Sequence, residues 1–189
     1  AKITVHGPTR AVALKRLSRA LQGTEVAGTV TNLAFLGALA QHEGFAAGDV
    51  DTGLIGRDLA ALTVAPAPGP HHFVAAAMAA GGFLDAPDWA QGFALWTPLK
   101  RTLVMRWQEE AVQVVLEAEG PARLLWRIGA AQVVASRTDA GWRLDGAPMP
   151  EVRVAGGMAT VFDGYGIGIG LVDPLARDSS GGAGGCRRP

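Results

Sequence analysis

The sequence predicts an α+β protein, in which a small α/β segment precedes one helix and an antiparallel 8-stranded β-barrel. In residues 1–62, apolar residues recur at the three- and four-residue spacing of helices. From about residue 92 the apolar period changes to two, and turn residues separate eight or nine short strands. The 26 glycines and 11 prolines among 189 residues suit a chain with many tight turns.

The first segment, residues 1–62, is predicted to alternate between strand and helix. Lys2–His6 and Glu25–Val30 have the composition of short β-strands. Three amphipathic helices follow from the apolar spacing and from breaker residues. Their expected caps are Thr9, Thr31-Asn32 and Thr52, and their expected ends are Gly23, Gly44 and Leu62. So few elements cannot bury both faces of a sheet, so we interpret this segment as the end of a larger α/β unit.

A proline-rich linker at residues 63–70 separates the two parts of the chain. Its prolines exclude regular structure and make it stiff. The Ala-rich run His71–Ala80 is predicted to be one helix that ends at Gly81-Gly82 and plugs an end or the lumen of the barrel.

The barrel domain is predicted to occupy residues 71–175, and residues 176–189 form a Gly-rich tail. Alternating apolar residues and turn pairs such as Asp145-Gly146 define the strands. The strand candidates are Phe93–Trp96, Thr102–Trp107, Ala111–Ala118, Arg123–Ile128, Ala131–Thr138, Trp142–Leu144, Glu151–Val154, Met158–Phe162 and Tyr165–Val172.

Composition excludes several classes of function. The 17 basic residues equal the 17 acidic ones, so no excess charge supports nucleic-acid binding. No apolar run is long enough for a membrane span. The single cysteine, Cys186, excludes an internal disulfide and a multi-cysteine zinc site. The chain opens Ala1-Lys2-Ile3 without a signal sequence, so we interpret it as a piece of a longer cytoplasmic protein.

Two motifs suggest ligand binding but have simpler explanations. The alternating run Gly164–Gly170 is followed by Leu171-Val172, so it is predicted to be a strand and not a phosphate loop. His71 and His72 point about 100° apart on a helix and lack a third ligand nearby, so we expect surface histidines and no metal.

The other reactive side chains form no complete catalytic set. His6 and His42 have no partner that the sequence identifies. Asp49 and Asp51 are predicted to compensate the dipole of the third helix. Cys186 lies in the tail beside basic residues, with nothing to position a substrate. Most of the five tryptophans (Trp89, Trp96, Trp107, Trp126 and Trp142) are predicted to pack the barrel, with one or two as interface anchors.

Residues 1–62 resemble the C-terminal end of the biotin carboxylase domain of biotin-dependent carboxylases. The resemblance rests on Ala1–Gly7, on Gly-x-x-Thr-Asn-x-x-Phe-Leu at residues 28–36, and on Asp-Thr-Gly-x-Ile at residues 51–55. It covers about a third of the chain.

The second part resembles the linking barrel domain of the α subunits of propionyl-CoA and 3-methylcrotonyl-CoA carboxylases. The residues are Gly92-Phe93-x-Leu95, Val161–Gly164 and Asp173–Ala176. Val26–Asn32 is closer to the methylcrotonyl type. The chain has no Ala-Met-Lys-Met biotin-carrier motif, and its tail departs from the family at Cys186–Pro189, for which truncation and frameshift are both open explanations.

The resemblance implies a fragment of a carboxylase α subunit whose parent enzyme uses ATP, Mg²⁺ and bicarbonate to carboxylate biotin. In the family, the catalytic and metal-binding residues lie upstream of Ala1, so no catalytic, metal or cofactor residue is expected here apart from Leu54, which matches a position that closes over adenine. The implied partners are the carboxyltransferase β subunit, which selects the acyl-CoA, and the biotin carboxyl carrier domain of the same parent chain. The chain alone is expected to be inactive and to serve assembly of a hetero-oligomer.

Two alternatives remain open at this stage. The tryptophan-rich alternating half also suits a separate barrel that binds a small apolar ligand, with a helical cap. A complete small enzyme is the third hypothesis. Residues 1–62 have exposed apolar faces when isolated, which predicts poor solubility or oligomerisation.

Overall fold

The computed structural model describes residues 2–64, 67–84 and 99–172. Within these ranges the helices come first and the strands second, which confirms the predicted α+β class. The helices are α1 (Arg10–Gln22), α2 (Leu33–Gln41), α3 (Glu43–Ala47), α4 (Leu54–Leu62) and α5 (Pro70–Ala80). The strands are β1 (Leu99–Trp107), β2 (Glu110–Gly120), β3 (Arg123–Ile128), β4 (Ala131–Thr138), β5 (Gly141–Leu144), β6 (Ala147–Pro148), β7 (Glu151–Ala155), β8 (Met158–Phe162) and β9 (Ile167–Leu171).

The strands form one antiparallel sheet in the order β6-β5-β4-β3-β2-β1-β9-β8-β7. Most pairs are sequence neighbours joined by short turns, such as β1 and β2, which pair from Leu99↔Ala118 to Trp107↔Glu110. The exception is β1 with β9, which brings the two ends of the strand series together at Met105↔Leu171. This long-range pairing joins the strands into one sheet, which curls so that the first and last strands face the same interior.

Helix α5 fills the concave side of this curled sheet. It contacts β1 to β4 on one side and β7 to β9 on the other. Its residues 74–78 are fully buried, and three of them are alanines, which let the helix axis come close to the strands. Of the two predicted positions, an end of the barrel or its lumen, the structure shows the helix on the inner side of the sheet.

The core of the second part joins α5 to the inner face of the sheet. Val114, Leu116 and Ala118 of β2 face inward, as their alternation predicts. Trp126 of β3 is fully buried, and its ring meets that of Phe83 edge to face at 5.7 Å between centroids. Complete burial of such side chains supplies about 2 kcal/mol each, which makes this core the main source of stability.

The two strands predicted in the first part are wrong for the described structure. Lys2–His6 and Glu25–Val30 have no strand hydrogen bonds. A strand requires a neighbouring strand to pair its N–H and C=O groups, and no described strand pairs with either run. The residue composition of the two runs favours β-strand, but strand formation also requires a partner strand from another part of the chain, which composition does not specify.

The helices of the first part agree with the sequence prediction except at α3. We expected Gly44 to end the second helix, but α2 ends at Gln41 and α3 begins at Glu43. His42 lies between them in extended conformation and caps α3, because its Nδ1 accepts a hydrogen bond from the Phe45 N–H at 3.4 Å. Gly48 then ends α3 with φ of 90°, which a glycine adopts without strain.

The helix caps follow the prediction in part. Thr9 caps α1, since its Oγ1 accepts a hydrogen bond from the Val12 N–H at 3.3 Å. Asn32 occupies the cap position of α2 without a side-chain hydrogen bond. At α4 the cap residue is Gly53 and not Thr52. The Asp51 side chain accepts a hydrogen bond from the Gly53 N–H just before the helix begins.

The sheet differs from the predicted barrel at its two edges. It has nine strands among the described residues, one more than the eight expected, because the two-residue β6 is added. No described pairing joins β6 to β7, so the sheet is open there. Pro148 and Pro150 flank this gap and lack the N–H groups that would pair across it.

Several predictions concern residues outside the described ranges. These are the strand Phe93–Trp96, Trp89, residues 65 and 66 of the linker, and the tail 176–189 with Cys186. Within the described ranges, no helix has the length and apolar character needed to cross a membrane.

We predict that Ala76→Leu in α5 lowers the free energy of unfolding by about 1–3 kcal/mol, because the larger side chain has no room against the strands. Ala80→Leu, at the exposed end of the same helix, is the matched control and changes stability by about 0.5 kcal/mol or less. Urea unfolding followed by tryptophan fluorescence measures both. Equal effects of the two substitutions would show that α5 does not fill the interior.

Candidate functional site

The start of α4 holds Leu54, the residue for which the family resemblance implies a cofactor contact. Asp51 Oδ1 accepts a hydrogen bond from the Gly53 N–H at 2.7 Å, and Asp51 Oδ2 lies 3.2 Å from Arg57 Nη1. These bonds fix the backbone immediately before Leu54. The first turn of α4 is therefore built by Asp51, in the helix-start role that was predicted for it.

Leu54 itself faces the interior of the first part. Its side chain is 2% exposed, whereas that of Ile55 is 46% exposed. The surface at the start of α4 is therefore offered by Ile55 and not by Leu54. The adenine contact of Leu54 stays a prediction.

Charged groups link α4 to the junction of α2 and α3. His42 Nε2 lies 3.2 Å from Asp58 Oδ2, and Arg57 Nε lies 3.6 Å from the same oxygen. Asp58 is not recognisable from the sequence as the partner of His42, because it is sixteen positions away and becomes a neighbour only when α4 folds back. Both ring nitrogens of His42 are engaged, one as the α3 cap and one with Asp58, so this arrangement is structural.

The charged groups at the start of α4 change the pKa of Asp51. The Arg57 side-chain hydrogen bond, and then the Gly53 N–H, lower the pKa of the Asp51 carboxyl from its ordinary value of 3.8. Both groups are well exposed, so the pair contributes little to stability. The pKa of the Arg57 guanidinium is raised, mainly by the hydrogen bond with Asp51 and least by the charge of Asp49. His6 is exposed.

An apolar groove of about 890 Å³ crosses the first part of the structure. Its walls are α1, α2 and the two extended runs whose strand pairing is absent. The lining includes Ile3, Leu17, Leu21, Val26, Leu33 and Leu36. No described acidic or basic side chain lines it, so its chemistry is that of an unpartnered packing face and not of a catalytic pocket.

The first part touches the outer face of the sheet at its glycine-rich strand. Tyr165 packs against Gly37 of α2 so closely that a Cβ on Gly37 would lie 2.2 Å from the Tyr165 oxygen. Gly28 similarly meets Ala155, where an added Cβ would lie 3.1 Å from the Ala155 Cβ. A small cavity of about 210 Å³ remains beside these contacts. Because these glycines have no side chain, the backbone of the first part can approach the side chains of the second part closely.

The second half of the glycine run is a strand and not a phosphate loop. It forms β9 from Ile167 on, with Thr160↔Gly168 in register with β8. The strand prediction is therefore confirmed for this half, whereas residues 164–166 precede the strand. An added Cβ on Gly168 would lie 2.7 Å from the Met158 sulfur, so a side chain there would require Met158 to move.

The two adjacent histidines at the start of α5 each contact a different aspartate. His71 Nε2 lies 2.9 Å from Asp145 Oδ2, and His72 Nε2 lies 3.0 Å from Asp163 Oδ2. Since the two contacts diverge, the rings do not converge on one point. Within the described ranges, no group of three His, Cys, Asp or Glu side chains is placed to hold a metal ion.

The tryptophans within the described residues have different environments. Trp126 lies in the core, while Trp107 and Trp142 are partly buried and pack against it. Arg137 lies over the Trp142 ring at 5.8 Å. Packing is therefore confirmed for these three, and an anchoring role for any of them stays a prediction.

Comparison with known proteins identifies relatives of both parts of the chain. Residues 1–57 match the family model of the biotin carboxylase C-terminal domain. The chain is 32% identical over 135 residues to the mitochondrial methylcrotonoyl-CoA carboxylase subunit alpha of Glycine max, covering 58% of this chain and 18% of that protein. It is 46% identical over 55 residues to the Arabidopsis thaliana protein of the same name, covering 29% of this chain and 8% of that protein.

These similarities confirm the resemblance found in the sequence. The chain is homologous to the biotin carboxylase C-terminal domain and to methylcrotonoyl-CoA carboxylase alpha subunits. Because the Glycine max match covers 58% of the chain, it extends beyond the first 62 residues. The chain spans less than a fifth of the length of these relatives.

We predict that Gly37→Ala displaces Tyr165, because the new Cβ would lie 2.2 Å from the phenolic oxygen of Tyr165. Tyr165 is the single tyrosine of the chain, so incorporation of 3-fluorotyrosine gives one ¹⁹F NMR signal that reports on this contact. We expect that signal to move toward the shift of an exposed tyrosine. Gly56→Ala in α4, where nothing lies within 4 Å, is the control and leaves the signal unchanged. An unchanged signal in Gly37→Ala would contradict the contact.

We predict that Arg57→Gln raises the pKa of Asp51 toward its ordinary 3.8, because the largest cause of its lowering is removed. The carboxyl ¹³C shift, followed by NMR between pH 6 and pH 2, measures this. Since the folded-state pKa is lowered, the stabilisation by Asp51 is complete above pH 3.8 and decreases as the pH falls through the lowered pKa. Lys100→Gln, which removes a distant cation of β1, leaves the titration of Asp51 as it was.

Proposed function

We propose that this chain is the assembly segment of a biotin-dependent acyl-CoA carboxylase α subunit, of the methylcrotonoyl-CoA type. The observation that carries the proposal is the order of the two parts: a biotin carboxylase C-terminal match is followed by a helix-filled antiparallel sheet. The similarity to methylcrotonoyl-CoA carboxylase alpha subunits that extends past the first part supports the same conclusion.

In this proposal the first part completes a biotin carboxylase domain. The apolar groove between α1 and α2, together with the unpaired runs Lys2–His6 and Glu25–Val30, is the face on which the remaining sheet of that domain packs. Strand addition there would pair the free N–H and C=O groups and cover the apolar side chains.

The chemistry of the parent enzyme is carried by residues outside this chain. That reaction uses ATP, Mg²⁺ and bicarbonate to carboxylate biotin. Among the described residues, several of the candidate reactive groups are held in structural pairs, as His42 is with Asp58. The chain alone is expected to be inactive, and Leu54 is too buried to reach a nucleotide without movement at the start of α4.

The second part is proposed to dock onto the carboxyltransferase β subunit. A sheet packed around α5 provides a rigid surface, since burial of residues 74–78 holds both ends of the strand series to one helix. The biotin carboxyl carrier domain is the second proposed partner. A cytoplasmic location stays an expectation, and the names of the two relatives place those proteins in mitochondria.

The hypothesis of a separate ligand-binding barrel is disfavoured by the position of α5. Such a protein needs an open interior, but the concave side of the sheet is occupied by fully buried α5 residues. The assembly role therefore has better support than the binding role.

We predict that the purified chain forms a stable complex with a carboxyltransferase β subunit of a methylcrotonoyl-CoA carboxylase, measured by size exclusion with light scattering. Met78→Asp, which places a carboxylate in the barrel core, costs several kcal/mol and abolishes both the near-UV circular dichroism of the barrel and the complex. Ile55→Asp, on the exposed face of α4, is the control and preserves both.

Absence of a complex, with the chain shown to be folded by near-UV circular dichroism, would overturn the docking role. Loss of the complex in Ile55→Asp alone would move the docking surface from the barrel to the first part.

A further inference from the structure

The open side of the sheet is crossed by the short connection Met149-Pro150 and by side-chain contacts, and no described strand hydrogen bonds span it. In the strand order, β6 and β7 are the two edges, and no described pairing joins them. Asp145 lies in the turn between β5 and β6, and Asp163 follows β8, next to β7. The aspartates bound by His71 and His72 therefore belong to opposite sides of the gap.

We propose that His71 and His72 form a clasp, with Asp145 and Asp163, that closes the gap between β6 and β7. The two histidines are adjacent at the start of α5, and α5 is fixed inside the sheet by its buried residues. Each ring thus ties one edge of the sheet to the same helix. This proposal is independent of the function proposed above.

Both arms of the clasp are anchored beyond the histidines. Asp145 adopts φ of 48° in a tight turn, and its second carboxylate oxygen, Oδ1, accepts a hydrogen bond from the Val134 N–H at 2.8 Å. Asp145 therefore joins β4 to α5 as well. Near it, Arg143 Nε donates to the Gly146 carbonyl oxygen at 2.7 Å, which holds the same turn.

The His72 arm also builds the first turn of α5. Its Nδ1 accepts a hydrogen bond from the Gly69 N–H at 2.8 Å, while Nε2 donates to Asp163. An Nδ1 that accepts a bond carries no proton, so the ring proton lies on Nε2, which is the donor to Asp163.

The His71 arm rests on the hydrogen bond between its Nε2 and Asp145 Oδ2 at 2.9 Å. Because the acceptor is an ionised carboxylate, such a hydrogen bond is roughly twice as strong as one between neutral groups.

The charged groups around the two rings are few. Asp145 faces His71 and Asp163 faces His72, while Arg143 lies behind the β5–β6 turn with its Nε on a carbonyl oxygen. The His72 side chain is 18% exposed, so its arm is the better shielded from solvent. A cavity of about 470 Å³ adjoins the rings, lined by apolar residues such as Leu144, Met149 and Phe162.

The test measures the width of the gap directly. Nitroxide labels on Ala147→Cys in β6 and Val154→Cys in β7, in a Cys186→Ser background, report the distance between the edges by pulsed electron resonance. We expect one narrow distribution at pH 7. In His71→Ala/His72→Ala, the longer-distance population should rise roughly fivefold, as expected for loss of two exposed hydrogen bonds.

His6→Ala removes an exposed histidine of the first part and is the matched control with an unchanged distribution. Near-UV circular dichroism of each variant verifies that the sheet is folded. An unchanged distance in the folded double variant would overturn the clasp.

The single variants test the two arms separately. In His71→Ala the helix keeps its contact with Asp163, and in His72→Gln, where the glutamine preserves the cap, it keeps its contact with Asp145. Each single variant should therefore raise the longer-distance population less than the double variant does. A full effect in either single variant would refute the role of the other arm.

Discussion

The burial of α5 against the concave side of the sheet is the constraint on which the second part depends. The sheet is one curled layer, and a single layer with an apolar inner face is stable only when something covers that face. The helix does so with small residues, because alanines at positions 75–77 allow close approach to strands on both sides. The pairing of β1 with β9 then becomes possible, since both flank the same helix.

The sheet encloses this helix and stays open at one place, between β6 and β7. Prolines at 148 and 150 remove donors at the edge, so closure there falls to polar side chains at the start of α5. The helix thus serves both as the core of the sheet and as the anchor of its edges.

The first part depends more on polar contacts between its helices than on a closed apolar core. Its helices are joined by caps and exposed ion pairs, of which His42, Asp58, Arg57 and Asp51 form one connected set. Such pairs orient elements but contribute little energy. Its apolar side chains line an open groove instead of a closed core. This is the expected state of a segment whose packing partner belongs to the rest of a larger domain, as its homology to the biotin carboxylase C-terminal domain suggests.

Local patterns in the sequence determined most of the helices and strands. Period-two alternation and turn pairs placed β3, β4 and β8 at their observed bounds, because those signals depend only on neighbours along the chain. The order of motifs also identified the relatives. By contrast, the strands predicted at Lys2–His6 and Glu25–Val30 failed, since a strand exists only where another strand pairs with it. Tertiary structure alone decided that Asp58 meets His42, that Leu54 is buried, and that His71 and His72 reach opposite edges of one sheet. Those contacts join residues far apart in sequence, and their geometry follows from the path of the whole chain and not from any local pattern.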